Sequence, residues 1–334
     1  MHRLTRRQAL GQWAGLVGAW ALAGCTARAA GRVARVGWIG WAGDTGPDAS
    51  VPLKALRAGL AELGWREGDN LVIEQRLGER EQGPALAADL LRSNPDVLVT
   101  QGVMVFAARN HTAQVPVVFG INGDPVEAGL ASSFARPGGL FTGITALAPE
   151  LAGKRLELLK STRPGMQRVA VIANNRHPGL RVERDAAEAA AQRLRLQLQV
   201  FGVGQATEME AAFAAIAAAK GTDAFSGLFA FPDTLINRQS AAIATFARQQ
   251  RLPSISGWPE FCHAGNLMSY GPSHAGFHRH LAHFVDRILR GAKPAELPIE
   301  LPTRFQLVLN QSAARASGLT LPADLRAMAE EVIA

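Results

Sequence analysis

The sequence predicts an α/β fold in which one unit of alternating strands and helices occurs twice. Its strand-like segments are apolar throughout and are separated by amphipathic helices, which indicates parallel sheets covered on both faces. The alternation runs through residues 35–119 and restarts at residue 167. Short segments also correspond between the halves, as Pro95-Asp96-Val97 does with Thr222-Asp223-Ala224. A chain of 334 residues is long enough for two domains.

In the first half, helices are recognised by their 3.6-residue period and strands by short apolar runs between turn-forming residues. The helix that starts at Val51 closes at Gly64, a residue type that commonly ends helices. We predict strands over residues 35–40, 70–74, 96–100 and 115–119, and helices over residues 51–64, 85–93 and 103–112.

The second half repeats this order and adds a C-terminal part. We predict strands over residues 167–173, 196–201, 223–231 and 252–256, helices over residues 181–194, 209–219, 236–249 and 274–289, and a final strand over residues 305–310 followed by a helix. Parallel strands end at the same sheet edge. Two such units side by side therefore leave a cleft between their strand ends, where open α/β sheets bind ligands.

Polar side chains follow several of the predicted strands at this edge. Asn122 and Asp124 come after the strand over residues 115–119, Gln101 comes after the strand over residues 96–100, and Asp233 follows the strand that ends at residue 231. Asn and Asp are also turn formers, because their side chains bond to nearby backbone. Since polar groups recur at strand ends in both halves, the sequence favours a ligand site over solvated turns.

Residues 1–29 are predicted to be a leader outside the fold. Arg6 and Arg7 precede an apolar run over residues 10–23, which is shorter than the roughly 20 residues that a membrane-spanning helix needs. A basic segment followed by a short apolar run is typical of a signal peptide. The arginine pair resembles a twin-arginine export signal, although Sec signals also contain such pairs.

Leu22-Ala23-Gly24-Cys25 resembles the lipobox of bacterial lipoproteins, in which the cysteine is acylated and becomes the N-terminus. The alternative is cleavage after Ala29, since Ala27-Arg28-Ala29 matches a small-x-small site. We favour lipidation of Cys25, which anchors a protein without a spanning helix. Only Cys262 then remains, so we expect no disulfide and no cysteine metal site, and we expect Cys262 to be a small buried residue.

The charge distribution argues against a nucleic-acid partner. The net charge is +7, but the basic residues are scattered apart from Arg3, Arg6 and Arg7 near the N-terminus. Surfaces that bind nucleic acid concentrate Lys and Arg on one face or along one stripe, and the sequence shows no such stripe.

A dinucleotide site is the main alternative. Gly37-Trp38-Ile39-Gly40-Trp41 is glycine-rich and Glu74 ends the next strand, as in a Rossmann fingerprint. An exported NAD(P)-dependent oxidoreductase is therefore the alternative function. However, the middle glycine is absent, and Trp41 stands where backbone would approach the pyrophosphate.

Four histidines on one predicted helix suggest a metal site. His274 and His278 share one face, whereas His280 and His283 project to the other side, so they do not converge on one ion. A nucleophile motif such as G-x-S-x-G does not occur in the sequence. We therefore expect no metal, no cofactor and no enzymatic activity.

Several motifs resemble one bacterial family across nearly the whole chain after the leader. They are WIGW (38–41), PDVLVTQG (95–102), GDPVEAGL (123–130), RPGG (136–139), PELAGKRLELLK (149–160), GNLMSYGP (265–272) and RGAKPA (290–295). They are similar to motifs of the ABC transporter substrate-binding protein family that includes tryptophan- and tyrosine-binding lipoproteins. The resemblance implies the type I periplasmic binding protein fold, with two Rossmann-like lobes joined by three crossovers near Thr145, Gly271 and Leu301.

The same resemblance implies the organisation and role of the protein. Residues 30–145 and 271–300 would form lobe 1, and residues 146–270 and 301–334 would form lobe 2. The protein would be periplasmic and monomeric, would bind a small ligand in the cleft, and would deliver that ligand to an ABC permease.

The resemblance also implies a ligand pocket, formed by Trp41, Asp44, Gln101, Gly102, Val103, Asn122, Asp124, Asn174, Asn175, Asp233 and Trp258. Amides at the helix start near Val103 can hold a carboxylate, and an Asp can hold an ammonium group, so we expect a small polar or amino-acid-like ligand. We also expect Asp124 and Asp233 to face each other across the cleft. One departure is the bulky Val103-Met104-Val105, where the tryptophan-binding branch has a small residue and Pro-Ala-Ala. This bulk argues against a large aromatic ligand.

Overall fold

The computed structural model describes residues 32–42, 50–146, 148–177 and 179–334, with residues 148–150 described by their backbone alone. Cys25 and Asp44 lie outside these residues. The described strands form two sheets. The first contains β1 (Ala34–Trp41), β2 (Leu71–Gly78), β3 (Val97–Gln101), β4 (Val117–Ile121) and β5 (Phe141–Thr145), all parallel, in the order β2-β1-β3-β4-β5.

The second sheet has seven strands in the order β12-β11-β10-β9-β8-β6-β7. They are β6 (Arg168–Asn174), β7 (Gln197–Val203), β8 (Gly227–Ala230), β9 (Ser254–Ser256), β10 (Met268–Gly271), β11 (Gln306–Asn310) and β12 (Glu331–Ile333). Only the pairing of β10 with β11 is antiparallel among the described strands.

Helices cover both faces of each sheet. They are α1 (Val51–Glu62), α2 (Gly83–Arg92), α3 (Met104–Arg109), α4 (Ala148–Ser161), α5 (Leu180–Leu194), α6 (Met209–Ala218), α7 (Thr234–Arg238), α8 (Ser240–Gln249), α9 (Pro259–His263), α10 (His274–Leu289), α11 (Gln311–Ala316) and α12 (Ala323–Ala327). On the first sheet, α1 and α10 pack on one face around Leu56, and α2 and α3 pack on the other around Leu90. On the second, α4 and α5 pack around Leu156, and α6 and α8 join through the stacked rings of Phe213 and Phe246.

The chain passes between the two sheets three times. It leaves the first sheet after β5, returns after β10 so that α10 packs against α1, and crosses again before β11. Beside the last passage, the Glu300 N–H donates to the Gly143 carbonyl at 3.0 Å, and the Thr145 N–H donates to the Glu300 carbonyl at 3.1 Å. The predicted fold class, an α/β protein of two lobes, is confirmed. The residue bounds assigned to each lobe stay a prediction.

Most predicted elements are present, with shifted ends, and the helix over residues 274–289 is found as predicted. Residues 223–225 do not open a strand, because Gly221–Asp223 forms a 3-10 turn and β8 begins only at Gly227. The single helix predicted over residues 236–249 is two helices, α7 and α8, since Asp233 caps α7 early and the chain bends at Gln239. No helix in the described part of the chain has both the length and the apolar character needed to cross a membrane.

We expect Gly143 in β5 to tolerate no side chain. Its φ is +150°, and a Cβ atom there would lie 2.0 Å from the carbonyl oxygen of Phe119 in β4. Because that neighbour is backbone inside a sheet, Gly143→Ala should lower the free energy of unfolding by about 3 kcal/mol.

Gly139→Ala is the matched control, since nothing lies within 4 Å of a Cβ atom at that position. It should change the free energy of unfolding by less than about 0.5 kcal/mol. Urea denaturation measures both, and equal midpoints for the two variants would contradict the prediction.

Candidate functional site

The cleft is arranged around a turn at the carboxyl end of β3. Gly102 has a φ of +55°, a conformation that favours glycine, and its N–H donates to the Gly120 carbonyl at 2.8 Å. The chain then enters α3 at Val103, the residue that precedes the helix. Among the described residues, we distinguish three cavities that adjoin this turn. We name them the Trp258, Phe106 and Arg80 cavities after one lining residue each. Gly102 lines the first two, and Val103 lines the last two.

The Trp258 cavity lies where the lobes meet beside α10. Its volume is about 20 Å³, room for roughly one water molecule. Trp258 of the second lobe stacks on His274 of α10, with ring centroids 4.7 Å apart and planes 9° apart. His274 Nδ1 also lies 3.3 Å from Glu260 Oε1. One face of the Trp258 ring is therefore already covered by protein.

The Phe106 cavity is the largest of the three, at about 410 Å³. The first lobe contributes Val103, Phe106, Asn122, Asp124 and Glu127 among others, and the second contributes His177, Gly179, Arg181 and Val182. Asn122 also joins the lobes directly, because its Nδ2 donates to the Pro232 carbonyl at 3.2 Å. Carboxylates from one lobe and a guanidinium from the other give this cavity charges of both signs.

The Arg80 cavity has a volume of about 380 Å³, and charged side chains from both lobes line it. Its other lining residues include Trp41, Val103, Asn174 and Asp233. Arg80 Nη1 donates to the Arg176 carbonyl at 2.7 Å, Arg176 Nη1 to Glu81 Oε1 at 3.3 Å, and Arg238 Nη1 to Glu79 Oε1 at 3.4 Å. These three contacts, the cross-cleft pairs, all connect the segment 79–81 of the first lobe to the second lobe.

Both aspartates predicted for the site are caps. Asp124 Oδ1 accepts from the N–H groups of Val126 at 2.7 Å and Glu127 at 3.2 Å. Asp233 Oδ1 accepts from the Leu235 N–H at 2.8 Å, at the start of α7. The two carboxylates line different cavities on either side of Val103, rather than facing each other within one.

Asp233 also belongs to a polar network. Its Oδ1 accepts from Asn174 Nδ2 at 3.0 Å, and its charge acts on His177. Burial lowers the pKa of His177, Asp233 raises it, and Arg80 lowers it, with a net result below the ordinary value of 6.5. His177 therefore adds little positive charge to the cleft near neutral pH.

The structure brings most of the predicted site residues to this cleft. Those that line the three cavities are Trp41, Gln101, Gly102, Val103, Asn122, Asp124, Asn174, Asp233 and Trp258. Asn175 is exposed and lines none of the three, and Asp44 falls outside the described residues. A role in binding stays a prediction for each of these residues.

Of the bulky residues at positions 103–105, only Val103 lines the cleft. Met104 and Val105 are 1% and 0% exposed and pack in the core of the first lobe. Their size therefore does not narrow the cleft, and only Val103 adds bulk there against a large aromatic ligand.

Among the lining residues that sequence reasoning missed are Arg80, Phe106, His177 and Arg181. Arg80 follows the end of β2 and His177 follows the end of β6, so strand-end reasoning applied to those two strands would have found them. Phe106 and Arg181 lie in the first turns of α3 and α5, where the strand ends give no signal.

The glycines behind the dinucleotide alternative make room for packing. A Cβ atom at Gly37 would lie 2.6 Å from Leu98 Cδ2, and one at Gly40 would lie 2.6 Å from Trp38 Nε1. On the histidine helix, His280 Nε2 lies 2.6 Å from Glu300 Oε2. Across the described ranges, no group of three or more His, Cys, Asp or Glu residues is placed to hold a metal ion.

Known proteins resemble this chain in both sequence and structure. A family model described as "ABC transporter substrate binding protein" matches residues 46–333. The tyrosine-binding protein of Clostridioides difficile (strain R20291) is 20% identical over 273 residues, covering 81% of this chain and 77% of that protein.

Solved structures share the fold. A conserved domain protein from Vibrio cholerae is 24% identical with a TM-score of 0.83, covering 90% of this chain and 100% of that one. An ABC domain from Streptococcus pneumonia in complex with L-Trp is 20% identical with a TM-score of 0.81, at 90% and 99% coverage. A ligand-free, open substrate binding protein from Clostridium difficile is 18% identical with a TM-score of 0.65, again at 90% and 99% coverage.

We expect the contact between His274 and Glu260 to make stability depend on pH. Burial raises the pKa of Glu260, but hydrogen bonding and charge from His274 outweigh it and hold this pKa below its ordinary value of 4.5. A depressed carboxylate pKa stabilises the fold above the unfolded-state pKa, and this contribution is lost as pH falls through the folded-state pKa. Glu260→Gln should therefore be less stable than wild type at pH 6, with a difference that shrinks below about pH 4.

Denaturant melts between pH 3 and pH 6 measure this difference. Glu296→Gln is the control, because Glu296 is 73% exposed and lies 3.9 Å from Lys293 Nζ, so its loss should show little pH dependence. A difference for Glu260→Gln that stays constant over the whole range would refute the expectation.

Proposed function

Because this chain belongs to the family of ABC transporter substrate binding proteins, we propose that it captures a small amino-acid-like ligand between its lobes and delivers it to the membrane subunits of an ABC importer. The observation that carries the proposal is the Gly102-Val103 turn, around which the Trp258, Phe106 and Arg80 cavities are lined by residues of both lobes. A ligand held there contacts both lobes at once and favours the closed arrangement over an open one.

The chemistry of the cleft suits a zwitterion. Asp233 is 8% exposed and lines the Arg80 cavity, where its carboxylate compensates the ligand's ammonium group. The N–H group of Val103 lies at the turn into α3, beside the two cavities that Val103 lines, where a backbone amide can bind a carboxylate. The Phe106 cavity, within the usual size range of small-molecule pockets, takes the ligand's side chain. Relatives named for tyrosine and L-Trp support an amino acid.

Contacts between the lobes support a closed arrangement. The cross-cleft pairs, the hydrogen bond from Asn122 to Pro232 and the stacking of Trp258 on His274 all join one lobe to the other. The TM-score is also higher with the L-Trp complex, at 0.81, than with the open ligand-free protein, at 0.65, although the coverage is the same. Opening at segment 79–81 requires the cross-cleft pairs to separate.

Substrate-binding proteins of ABC importers work outside the cytoplasm, so we place this protein there. Export by the twin-arginine or the Sec route, followed by lipidation of Cys25, would hold the protein at a membrane surface beside its permease. The protein would then act as a monomer without a cofactor.

Ligand titration tests the proposed function. L-tyrosine and L-tryptophan come first, followed by the remaining amino acids and small carboxylates. A ligand at 100 times its Kd should raise the free energy of unfolding by about 2.7 kcal/mol. If no member of this panel shifts the melting temperature or produces heat on titration, the proposed ligand class is wrong.

Asp233→Ala should weaken the affinity for that ligand roughly tenfold to a hundredfold, because a charged hydrogen bond contributes about 1.5–3 kcal/mol. Ser273→Ala is the matched control: Ser273 Oγ also caps a helix, accepting from the Gly276 N–H at 3.1 Å, but lines none of the three cavities. Both variants should lose about 1 kcal/mol of stability. Equal affinities for both variants would remove Asp233 from the site.

If Cys25 is lipidated, the wild-type protein should fractionate with membranes, because its acyl chains provide the anchor. Cys25→Ala should be released from the membrane fraction. Cys262→Ala should stay anchored, since Cys262 is 0% exposed inside the second lobe. Intact mass of the membrane-extracted protein measures the acyl chains. A mass for a chain starting at Ala30 without them would favour the alternative cleavage after Ala29.

A further inference from the structure

Behind Asp233, the second lobe buries further charged side chains. Arg155 of α4 is 1% exposed, Glu183 in the first turn of α5 is 3% exposed, and Asp233 at the start of α7 is 8% exposed. Arg155 Nε donates to the Tyr270 carbonyl at 2.8 Å. A Cβ atom at Gly257 would lie 2.9 Å from Arg155 Nη2 and 2.7 Å from Pro232 Cβ, so the guanidinium and the residue before Asp233 both lie beside Gly257.

We call Arg155, Glu183 and Asp233 the buried charge cluster. Among them, Glu183 is the residue whose hydrogen bonding is incomplete. Its Oε1 is 3.9 Å from Arg155 Nη1, beyond hydrogen-bond distance, and has no hydrogen-bond partner in the described part of the chain. Asp233, in contrast, accepts hydrogen bonds from Asn174 Nδ2 and from the backbone N–H groups of Leu235 and Ile236. Of the two buried carboxyl groups, Glu183 is therefore the one that can be neutral at the lower cost in free energy.

Charge counting gives the same result. The buried cluster holds two carboxyl groups and one guanidinium, whereas Arg80, Arg176 and Arg238 at the Arg80 cavity are exposed to solvent. A buried excess charge is strongly unfavourable. One guanidinium balances one carboxylate, so the second carboxyl group is neutral. A cation docked at Asp233 brings a second positive charge, and the second carboxyl group can then ionise.

We infer that Glu183 is a positioning residue for the ligand: it holds a proton until a cationic group of the ligand compensates Asp233, and it then releases that proton to the solvent. This inference rests on the proposed function, because it assumes that the ligand's cation docks at Asp233. Glu183 is thus neutral in the empty site and ionised when the cationic group of the ligand is bound. As a result, the cleft favours ligands with a cationic group over neutral ones.

The other groups that face Glu183 agree with this assignment. Burial raises the pKa of Glu183 to about 8, with Arg155 lowering it and Asp233 raising it further. Burial also lowers the pKa of Arg155 to about 10, which leaves this residue charged at neutral pH. His177 is kept neutral by its burial, and Tyr270 contributes its carbonyl group to Arg155.

Infrared spectroscopy of the full-length protein tests the inference without a ligand. The difference spectrum of wild type minus Glu183→Gln at pH 7 should contain the C=O band of a protonated carboxylic acid. Asp233→Asn removes the charge that the ligand would compensate, yet an Asn still caps a helix. In that background the acid band should be replaced by carboxylate bands.

Asp223→Asn is the matched control in the same lobe, because Asp223 is 79% exposed and paired with Arg168. It should leave the acid band of Glu183 unchanged. The absence of this band in wild type, or its persistence in Asp233→Asn, would overturn the inference. If Glu183→Gln does not fold, the pH titration of the acid band in wild type and in Asp233→Asn decides, with a lower midpoint expected in the variant.

Calorimetry with L-tyrosine, or with whichever amino acid the panel identifies, extends the test to binding. Titrations in buffers of different ionisation enthalpy should show about one proton released per ligand at pH 7, and none in Glu183→Gln. Release that persists in Glu183→Gln would overturn the inference. Absence of binding by every amino acid would instead refute the proposed ligand class, while the infrared result would still decide the inference.

Discussion

The guanidinium of Arg155 is buried where the second sheet meets the passage after β10, behind the strand ends that lead to the cleft. It binds the Tyr270 carbonyl and lies close against Gly257 and Gly271, where a Cβ atom would collide with it or with backbone. These contacts fix the ends of β9 and β10, from which the chain continues to Trp258 and to His274 of α10. The buried guanidinium of Arg155 thus contacts the core of the second lobe and one passage between the lobes. It also lies near Glu183, the buried carboxyl group behind Asp233.

Burial separates the contacts between the lobes into two kinds. The cross-cleft pairs to Glu79 and Glu81 are largely exposed, and exposed ion pairs contribute only about 0.2–1 kcal/mol each. Trp258 and His274 are mostly buried and stack over their ring faces. Separating the pairs at segment 79–81 therefore costs little free energy, whereas separating the stacked rings of Trp258 and His274 beside α10 costs more. This difference favours a hinge that stays intact near α10 while segment 79–81 opens to admit a ligand.

The fold could be predicted from the sequence because buried parallel strands must be apolar along their whole length and their helices must repeat every 3.6 residues. The apolar pattern is weaker in β5 and β12. Gly143 interrupts β5, and β12 has only three residues, which are exposed or half-buried. In the site, strand ends led to Gln101, Asn122 and Asp233. Arg80 and His177 also follow strand ends. The Arg155–Glu183 pair, in contrast, depends on how α4 and α5 pack against each other in the second lobe, and no local pattern encodes that packing.

Asp233 shows why turn formers and site residues were hard to separate from sequence. A cap needs one carboxylate oxygen facing the helix amides, and Asp233 uses Oδ1 both for those amides and for Asn174. These bonds fix the orientation of the carboxyl group at the edge of the Arg80 cavity, so capping is the means by which the charge is held in place. The two interpretations are therefore not exclusive. Turn chemistry at strand ends supplies oriented polar groups, and a cleft between two lobes can place a ligand against them.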